Sequence, residues 1–347
     1  MPDPPGLRSR VRGCLLGGAI GDALGAPVEF DALAQIRERY GPAGIADLDR
    51  SYGVHGAVTD DTQMTLFTAE GLLRADGDPV ASVHRAYLRW LMTQDGKSLH
   101  LAYGRELWSG WLIEDARLHH RRAPGMTCLA GLRSPRMGTM AESLNDSKGC
   151  GGVMRAAPAG LLAGPDEAFR LGCETAAITH GHPSGYFTSG ALAVVVERLA
   201  RGETGLDEAL DAAERELHDA GPDAGECLDA LRAARRLAAE GDPSAERMEE
   251  LGEGWVAEEA LAMGIYAALC AGGDVRRALL LAVNHSGDSD STGAITGNLL
   301  GAWLGEDAIP DAWRREVELA DVITRVADDI ADAMLGRPVD RSRYPRP

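Results

Sequence analysis

Aromatic side chains are scarce in this sequence of 347 residues, at only 5 % of the total. Sheet-rich proteins contain more of them, whereas the residues that dominate here (Ala, Leu, Glu and Arg) favour helices. Hydrophobic residues make up 45 % and charged residues 25 %, which is ordinary for a globular protein and excludes a largely disordered chain. The composition therefore predicts a folded, mainly helical protein.

Basic residues are too few for a general nucleic-acid or anionic-membrane binder. Lys and Arg number 35 against 53 Asp and Glu, a formal net charge of −18, so no surplus exists to neutralise phosphates. No apolar run reaches the ~20 residues of a membrane span. Asp22 and several glycines interrupt the apolar run after Arg12, which disfavours a signal peptide. We expect no membrane partner.

Cysteines are also few, and no two of them form a CxxC pair. Their spacing fits neither a structural zinc site nor a disulfide framework. Reduced thiols and a cytoplasmic location are expected. The six are Cys14, Cys128, Cys150, Cys173, Cys227 and Cys270.

Helical periodicity is clearest in the second half of the chain. Residues 207–240 are amphipathic with a break at 221–223, and residues 255–270 form another predicted helix. Residues 113–152 predict a long loop with one short helix, and loops of this length are often functional. Residues 337–347, rich in Arg and Pro, predict a frayed tail.

Two segments carry a glycine at every fourth position, which places the glycines on one face of a helix. Each glycine costs a helix about 1 kcal/mol relative to Ala, so a packing gain must offset it. We expect two central helices whose backbones approach closely; the alternative is that the glycines break the helices. The two sets are Gly13, Gly17, Gly21 and Gly25, and Gly293, Gly297 and Gly301.

The densest polar cluster lies at residues 284–292, directly before the second glycine-striped segment. Asp288 and Asp290, followed by hydroxyls, offer the hard oxygen ligands that Mg²⁺, Mn²⁺ or Ca²⁺ prefers. A helix N-cap is the alternative, because Asp and Ser favour that position.

A second acidic pair, Asp60 and Asp61, stands between Thr59 and Thr62 before another apolar helical pattern. Asp60 and Gln63 fit a capping box. A cap needs only one oxygen, however, and two neighbouring carboxylates repel unless a cation or proton holds them. The repetition of this arrangement predicts one shared metal site.

A glycine-rich turn, Ser-Lys-Gly-Cys-Gly-Gly-Val-Met-Arg at residues 147–155, opens onto a predicted helix. Its backbone N–H groups are suited to a phosphate or diphosphate. It lacks the GK[ST] ending of a Walker loop and the preceding strand of a dinucleotide fold. His180 and His182 lack a third zinc ligand, so one is expected to hydrogen-bond a ligand, and a structural role is equally open for His182.

Taken together and in this order, five motifs resemble those of the ADP-ribosylglycohydrolases over residues 11 to 304. The resemblance implies an all-α, compact single-domain helical bundle over residues 1–347, with its core at 11–335. It also implies a central cleft with two Mg²⁺ or Mn²⁺ ions. The motifs are residues 17–25 leading to Glu29, residues 59–62, 151–155, 178–180 and 287–293.

The resemblance also assigns roles by motif. Glu29 and Asp290 would act on the attacking water, the glycine loop would hold the diphosphate, and His180 the ribose. Ser291 stands where the family commonly has Thr, and Cys150 where it often has Asn. Asp95, downstream of Trp90, is a further catalytic candidate. The implied metal ligands are Thr59, Asp60, Asp61, Asp288, Asp290 and Ser291, and the implied loop contacts are Ser147, Gly149, Gly151, Gly152 and Met154.

The implied activity is metal-dependent hydrolysis of the ribosyl C1″ linkage of an ADP-ribosylated protein or small molecule, with arginine on a protein as the expected attachment. Serine-linked ADP-ribose, O-acetyl-ADP-ribose and an ADP-ribosylated base stay open, because no motif reads the leaving group. Nucleic acid is expected only as a modified substrate. Two other classes are an inactive ADP-ribose-binding protein, which the retained carboxylates disfavour, and another metal hydrolase such as a phosphoesterase.

Overall fold

The computed structural model describes residues 6–95, 107, 109–164, 166–202 and 204–346. Its architecture is all-α, as predicted, and the sheet within the described ranges is one antiparallel hairpin of β1 (Arg50–Ser51) and β2 (Val54–His55). The described α-helices are α1 Leu7–Gly25, α2 Leu33–Tyr40, α3 Asp60–Arg74, α4 Pro79–Asp95, α5 Met126–Leu132, α6 Ala157–Leu162, α7 Ala168–Ala177, α8 Pro183–Arg201, α9 Leu206–Asp219, α10 Gly225–Glu240, α11 Ala245–Met248, α12 Ala257–Cys270, α13 Val275–Val283, α14 Ser289–Leu304, α15 Asp311–Glu316 and α16 Ala320–Met334.

Helices α1 and α14 carry the two glycine stripes and pack directly against each other. Every residue of α1 from Gly13 to Gly25 is buried, and a Cβ added to Gly21 would overlap the backbone carbonyl of Gly293. The same holds for Gly17 against Gly297. The glycines therefore let two backbones touch, which confirms the prediction of closely packed helices and excludes the helix-breaking alternative.

The helix predictions for the second half of the chain are confirmed. The segment 207–240 forms α9 and α10, separated at Gly221, whose φ of 90° ends the regular helix. The predicted helix at 255–270 is α12, which begins at Ala257. The long loop at 113–152 contains one short α-helix, α5, together with 3₁₀ turns.

The prediction of a frayed C-terminal tail is wrong for its described part, which ends at residue 346. Tyr344 is fully buried, and its hydroxyl donates to Asp329 Oδ2 at 2.9 Å. Arg343 forms an ion pair with Asp329 at 2.7 Å. The ring of Tyr344, among the arginines and prolines, gives the tail apolar surface to bury, and Asp329 accepts the hydrogen bond of the Tyr344 hydroxyl.

Buried side chains from Leu7 to Tyr344 form one continuous hydrophobic cluster. The stripe contact brings the end of α1 against the start of α14, since a Cβ on Gly25 would overlap the backbone of Ser289 and Asp290. Among the described helices, none is long and apolar enough to cross a membrane.

Candidate active site

Three helix ends and one loop meet at a cleft of about 450 Å³. Glu29 follows the end of α1, Asp60 begins α3, and Asp288 immediately precedes α14. The fourth part is the glycine loop at 147–155. Ten of the thirteen residues that the sequence assigns to the site line this cleft: Glu29, Asp60, Asp61, Gly149, Gly151, Met154, His180, Asp288, Asp290 and Ser291.

The other three predicted residues lie behind the lining and support it. Thr59 is the N-cap of α3, where its hydroxyl accepts from the Asp61 N–H at 3.3 Å. The Ser147 hydroxyl accepts from the Gly149 N–H at 3.3 Å. Gly152 faces the protein interior, since an added Cβ would lie 3.0 Å from Ala176.

Glu29, Asp288 and Asp290 form an acidic trio. One carboxylate oxygen from each lies within 4.8 Å of the others, and all three side chains are buried. Glu29 Oε2 is buried without a hydrogen-bond partner. Burial and the neighbouring charges of Asp290 and Asp288 raise the pKa of Glu29 to about 11. Such a cluster needs protons or cations to balance it.

Asp60 and Asp61 open the first turn of α3 beside this trio. Asp60 Oδ2 accepts from the Gly125 N–H at 3.1 Å, and Asp61 Oδ1 accepts from the Ser291 hydroxyl at 2.9 Å. Burial raises the pKa of both carboxyls well above the usual range. The capping box does not form, because Thr59 is the cap and the Gln63 Oε1 accepts from Trp90.

Asp288 is also not a simple helix cap. It occupies the N-cap position of α14, but its side chain makes no capping hydrogen bond. Its Oδ2 instead accepts from the Cys150 thiol at 2.7 Å. The carboxylate therefore faces the cleft and the glycine loop, as a ligand-binding group would.

Asp22 organises the acidic pair of α3 and was not predicted as a site residue. Its carboxylate accepts from the backbone N–H groups of Thr59 and Thr62, both near 3.0 Å, and from the Thr62 hydroxyl at 2.5 Å. Burial and the charge of Asp290 raise its pKa to about 7. A carboxylate inside the apolar, glycine-rich segment 13–25 was the available signal, since such a group needs buried partners.

The glycine loop is tied to the start of α12 and packs against His180. Backbone hydrogen bonds join Cys150 N–H to Trp255 C=O at 3.1 Å and Ala257 N–H to Lys148 C=O at 2.8 Å. A Cβ on Gly151 would lie 2.9 Å from His180 Cε1. Only glycine fits this approach.

His180 is neutral in this setting. Its Nδ1 lies 2.8 Å from the Thr179 hydroxyl, which also accepts from Arg155. Burial and the positive charge of Arg155 lower the pKa of His180 to about 3. His182 has a structural role, because its ring accepts from the Ser184 N–H at 3.1 Å and caps α8.

Asp95 lies outside the residues that line the cleft. It forms a two-pronged ion pair with Arg133, with N–O distances of 2.9 and 2.6 Å. Asp95 is the last residue of α4, and Arg133 directly follows α5, so the ion pair connects these two helices.

A family model for ADP-ribosylglycohydrolases matches residues 3–339 of this sequence. The chain belongs to the ADP-ribosylglycohydrolase family. It is 26 % identical over 325 residues to the ADP-ribosyl-[dinitrogen reductase] glycohydrolase of Rhodospirillum rubrum, covering 91 % of this chain and 92 % of that protein. It is 23 % identical over 342 residues to the ADP-ribosylarginine hydrolase Tri1 of Pseudomonas putida, covering 95 % and 80 %.

The fold agrees with this membership. A solved structure titled ADP-ribosylglycohydrolase-related protein complex superposes with a TM-score of 0.63 and 27 % identity, covering 94 % of this chain and 98 % of that one. The family member described here is therefore an enzyme, a hydrolase of ADP-ribosyl linkages.

Proposed function

We propose that this ADP-ribosylglycohydrolase is a divalent-metal enzyme that removes ADP-ribose from arginine side chains of proteins. The observation that carries the metal requirement is the acidic trio of Glu29, Asp288 and Asp290. Buried carboxylates this close repel one another unless positive charge or protons intervene. The unpartnered Oε2 of Glu29 is a further position where an ion or an ion-bound water fits.

The oxygen-rich lining fits Mg²⁺ or Mn²⁺, which prefer hard carboxylate and hydroxyl ligands. Such ions would supply Lewis acidity for a water and for the hydroxyls of the distal ribose. The residues proposed to hold two ions are Thr59, Asp60, Asp61, Asp288, Asp290 and Ser291. Their support by Asp22 and by the hydrogen bond from Ser291 to Asp61 keeps the carboxylates oriented.

Bound divalent ions would favour the ionised form of Glu29, which carries a proton in their absence. In the proposed reaction, the carboxylate of Glu29 or Asp290 accepts a proton from the attacking water as the water oxygen bonds to C1″ of the ribose. The C1″–N bond breaks, and the guanidine nitrogen takes up the proton as it leaves. The ribose gains oxocarbenium character on the way, as in other glycoside hydrolyses. The surrounding carboxylates stabilise that positive charge.

The glycine loop is proposed to hold the diphosphate through backbone N–H groups other than those of Gly149 and Cys150, which already donate to Ser147 and Trp255. Gly149 and Gly151 both line the cleft and approach the His180 ring, since a Cβ on either would lie within 3.5 Å of His180 Nε2. Because His180 is neutral, its ring can donate or accept a single hydrogen bond toward the ribose without adding charge.

The arginine linkage is supported by the similarity to a protein named ADP-ribosylarginine hydrolase and by the negative charge of the cleft, which favours a cationic leaving group. The other leaving groups are outcomes of a direct test. The protein would be incubated with ADP-ribose linked to arginine, to serine, to acetate and to a base, and with a phosphate ester, each with and without EDTA.

We expect release of ADP-ribose from the arginine conjugate, with loss of activity in EDTA and recovery on adding Mg²⁺ or Mn²⁺. Asp290→Asn should reduce turnover at least a hundredfold, because it removes a carboxylate from both the ligand set and the proton acceptors. Full turnover by metal-free protein would contradict the metal requirement. Preference for another linkage would reassign the substrate.

A further inference from the structure

Large apolar side chains are almost all buried in the described part of the chain, and the exposed ones concentrate at the cleft. Phe30 is 72 % exposed and Trp255 is 38 % exposed, and both line the cleft beside the acidic trio. Exposed aromatic rings at the entrance of a pocket indicate a binding surface. Their apolar area faces water in the free protein, and the hydrophobic free energy of burying it is gained only when a ligand covers the rings.

Phe30 and Trp255 are stacked on each other. Their ring centroids are 5.8 Å apart, with an angle of 18° between the ring planes. The pair therefore presents a flat, preformed platform, and the exposure of Phe30 leaves room for a third planar group. The two residues come from distant parts of the chain, after α1 and before α12, so the platform is a product of the fold.

The position of the platform relates it to the bond that breaks. Phe30 directly follows Glu29, whose carboxylate belongs to the acidic trio. The leaving group is attached to the ribose carbon that reacts there, and in a modified protein this group must extend from the cleft into solvent. Phe30 lines the same cleft and is largely exposed, so a group that extends into solvent can reach its ring.

The negative charge around the platform favours a positively charged planar group over a neutral one. Glu29, Asp288 and Asp290 lie in the same cleft, and Asp60 and Asp61 complete five carboxylates. Two divalent ions would supply four positive charges, so one negative charge would remain.

We propose that the Phe30–Trp255 platform binds the planar guanidinium of the arginine leaving group and makes the enzyme selective for it. This inference rests on the proposed arginine-linked substrate. A guanidinium stacks on aromatic faces through cation–π attraction, whereas a serine or acetyl group offers neither charge nor a comparable flat cation. Phe30 is then a specificity-determining residue, and Trp255 supports its ring.

The test compares wild type with Phe30→Leu and Phe30→Tyr. Leu keeps apolar volume but removes the flat ring, while Tyr restores the ring. For Phe30→Leu we expect kcat/KM on arginine-linked ADP-ribose to fall about threefold to tenfold, and for Phe30→Tyr to stay near wild type. Turnover of serine-linked ADP-ribose, relative to wild type, and the Kd of free ADP-ribose by calorimetry should stay unchanged. Met140→Leu, at an exposed methionine that does not line the cleft, is the matched control.

The possible results separate the two proposals. Weaker binding of free ADP-ribose by Phe30→Leu would place the adenosine, not the leaving group, on the platform and overturn the inference. Equal losses on both linkages, or no loss on the arginine conjugate, would also overturn it. A wild-type protein that cleaves only the serine conjugate would instead contradict the arginine substrate itself.

Discussion

Single carboxylates in this protein are held where they are costly to ionise, and Glu29 is the clearest case. It is 5 % exposed, lies within 4.8 Å of two aspartates and has an oxygen without a partner. Asp22 sits deeper and satisfies its oxygens with N–H and hydroxyl donors. The difference indicates that Asp22 has a supporting role, while Glu29 is directed toward something that enters the cleft.

The pKa of Glu29 leads to a prediction for the metal-free protein. Because its pKa is raised from 4.5 to about 11, the native state retains a proton that the unfolded chain loses above pH 4.5. The free energy of unfolding should therefore fall as pH rises through the range from about 5 to 8, by up to about 1.4 kcal/mol per pH unit for each such proton.

Denaturant unfolding in EDTA at several pH values would measure this slope. Glu29→Gln removes the titrating group and should flatten the slope. Glu246→Gln is the control, since Glu246 forms an exposed pair with Arg37 that lowers its pKa. A slope that is the same in Glu29→Gln and wild type would show that Glu29 ionises normally in the folded protein.

At the scale of helices, the site depends on the contact between α1 and α14. Gly17→Ala should destabilise the protein, because its Cβ would overlap the Gly297 carbonyl. Overpacking of a buried contact typically costs about 1–3 kcal/mol, which exceeds the about 1 kcal/mol that Ala gains in helix propensity. The midpoint of urea unfolding would report the change.

Gly225→Ala is the matched control for that substitution. Gly225 begins α10 at a φ of −57°, and a Cβ there would meet no atom within 4 Å. Its replacement should be neutral or stabilise by up to about 1 kcal/mol. If Gly17→Ala were as stable as Gly225→Ala, the backbones of α1 and α14 would have to be farther apart than described.

Elements differed in how well the sequence predicted them, for physical reasons. The glycines of the stripes at Gly17 and Gly297 recur every four residues, which places them on one face of a helix. Because each glycine lowers helix stability, a packing contact must compensate for it, so the contact between the two helices could be predicted. Burial of Tyr344 could not, because nothing local in an Arg- and Pro-rich tail indicates the distant Asp329 that accepts its hydroxyl.

The same limit applies to the site. The sequence predicts Asp60 and Asp290 as metal ligands because repeated acidic pairs before helices exceed the needs of a cap, and both residues line the cleft. The support of α3 by Asp22 and the stacking of Phe30 on Trp255 depend on long-range packing. Neither leaves a periodic or compositional signal, so only the three-dimensional arrangement reveals them.

For the whole molecule, the site joins parts of the chain that are more than 250 residues apart, from Glu29 to Ser291. A divalent ion that binds only the assembled cleft should therefore stabilise the entire fold. At a hundredfold excess over Kd the gain is about 2.7 kcal/mol. For 347 residues this corresponds to a rise in Tm of about 4 °C, from the usual unfolding entropy per residue.

Asp288→Asn should have opposite effects on thermal stability in the metal-free and the metal-bound protein. Burial and the charge of Asp290 raise the pKa of Asp288 well above its usual range. Without metal, the folded protein must therefore keep a proton on Asp288 that the unfolded chain loses near neutral pH, and this lowers its stability. Asn needs no such proton, so the Tm of Asp288→Asn should equal or exceed that of wild type. With metal, the lost ligand should shrink the rise in Tm. Thermal melts in EDTA and in excess Mg²⁺ or Mn²⁺ would measure both, with the exposed Asp307→Asn as control. Equal metal-induced rises in Asp288→Asn and wild type would mean that Asp288 takes no part in holding the ion, and that the acidic trio is balanced by protons alone.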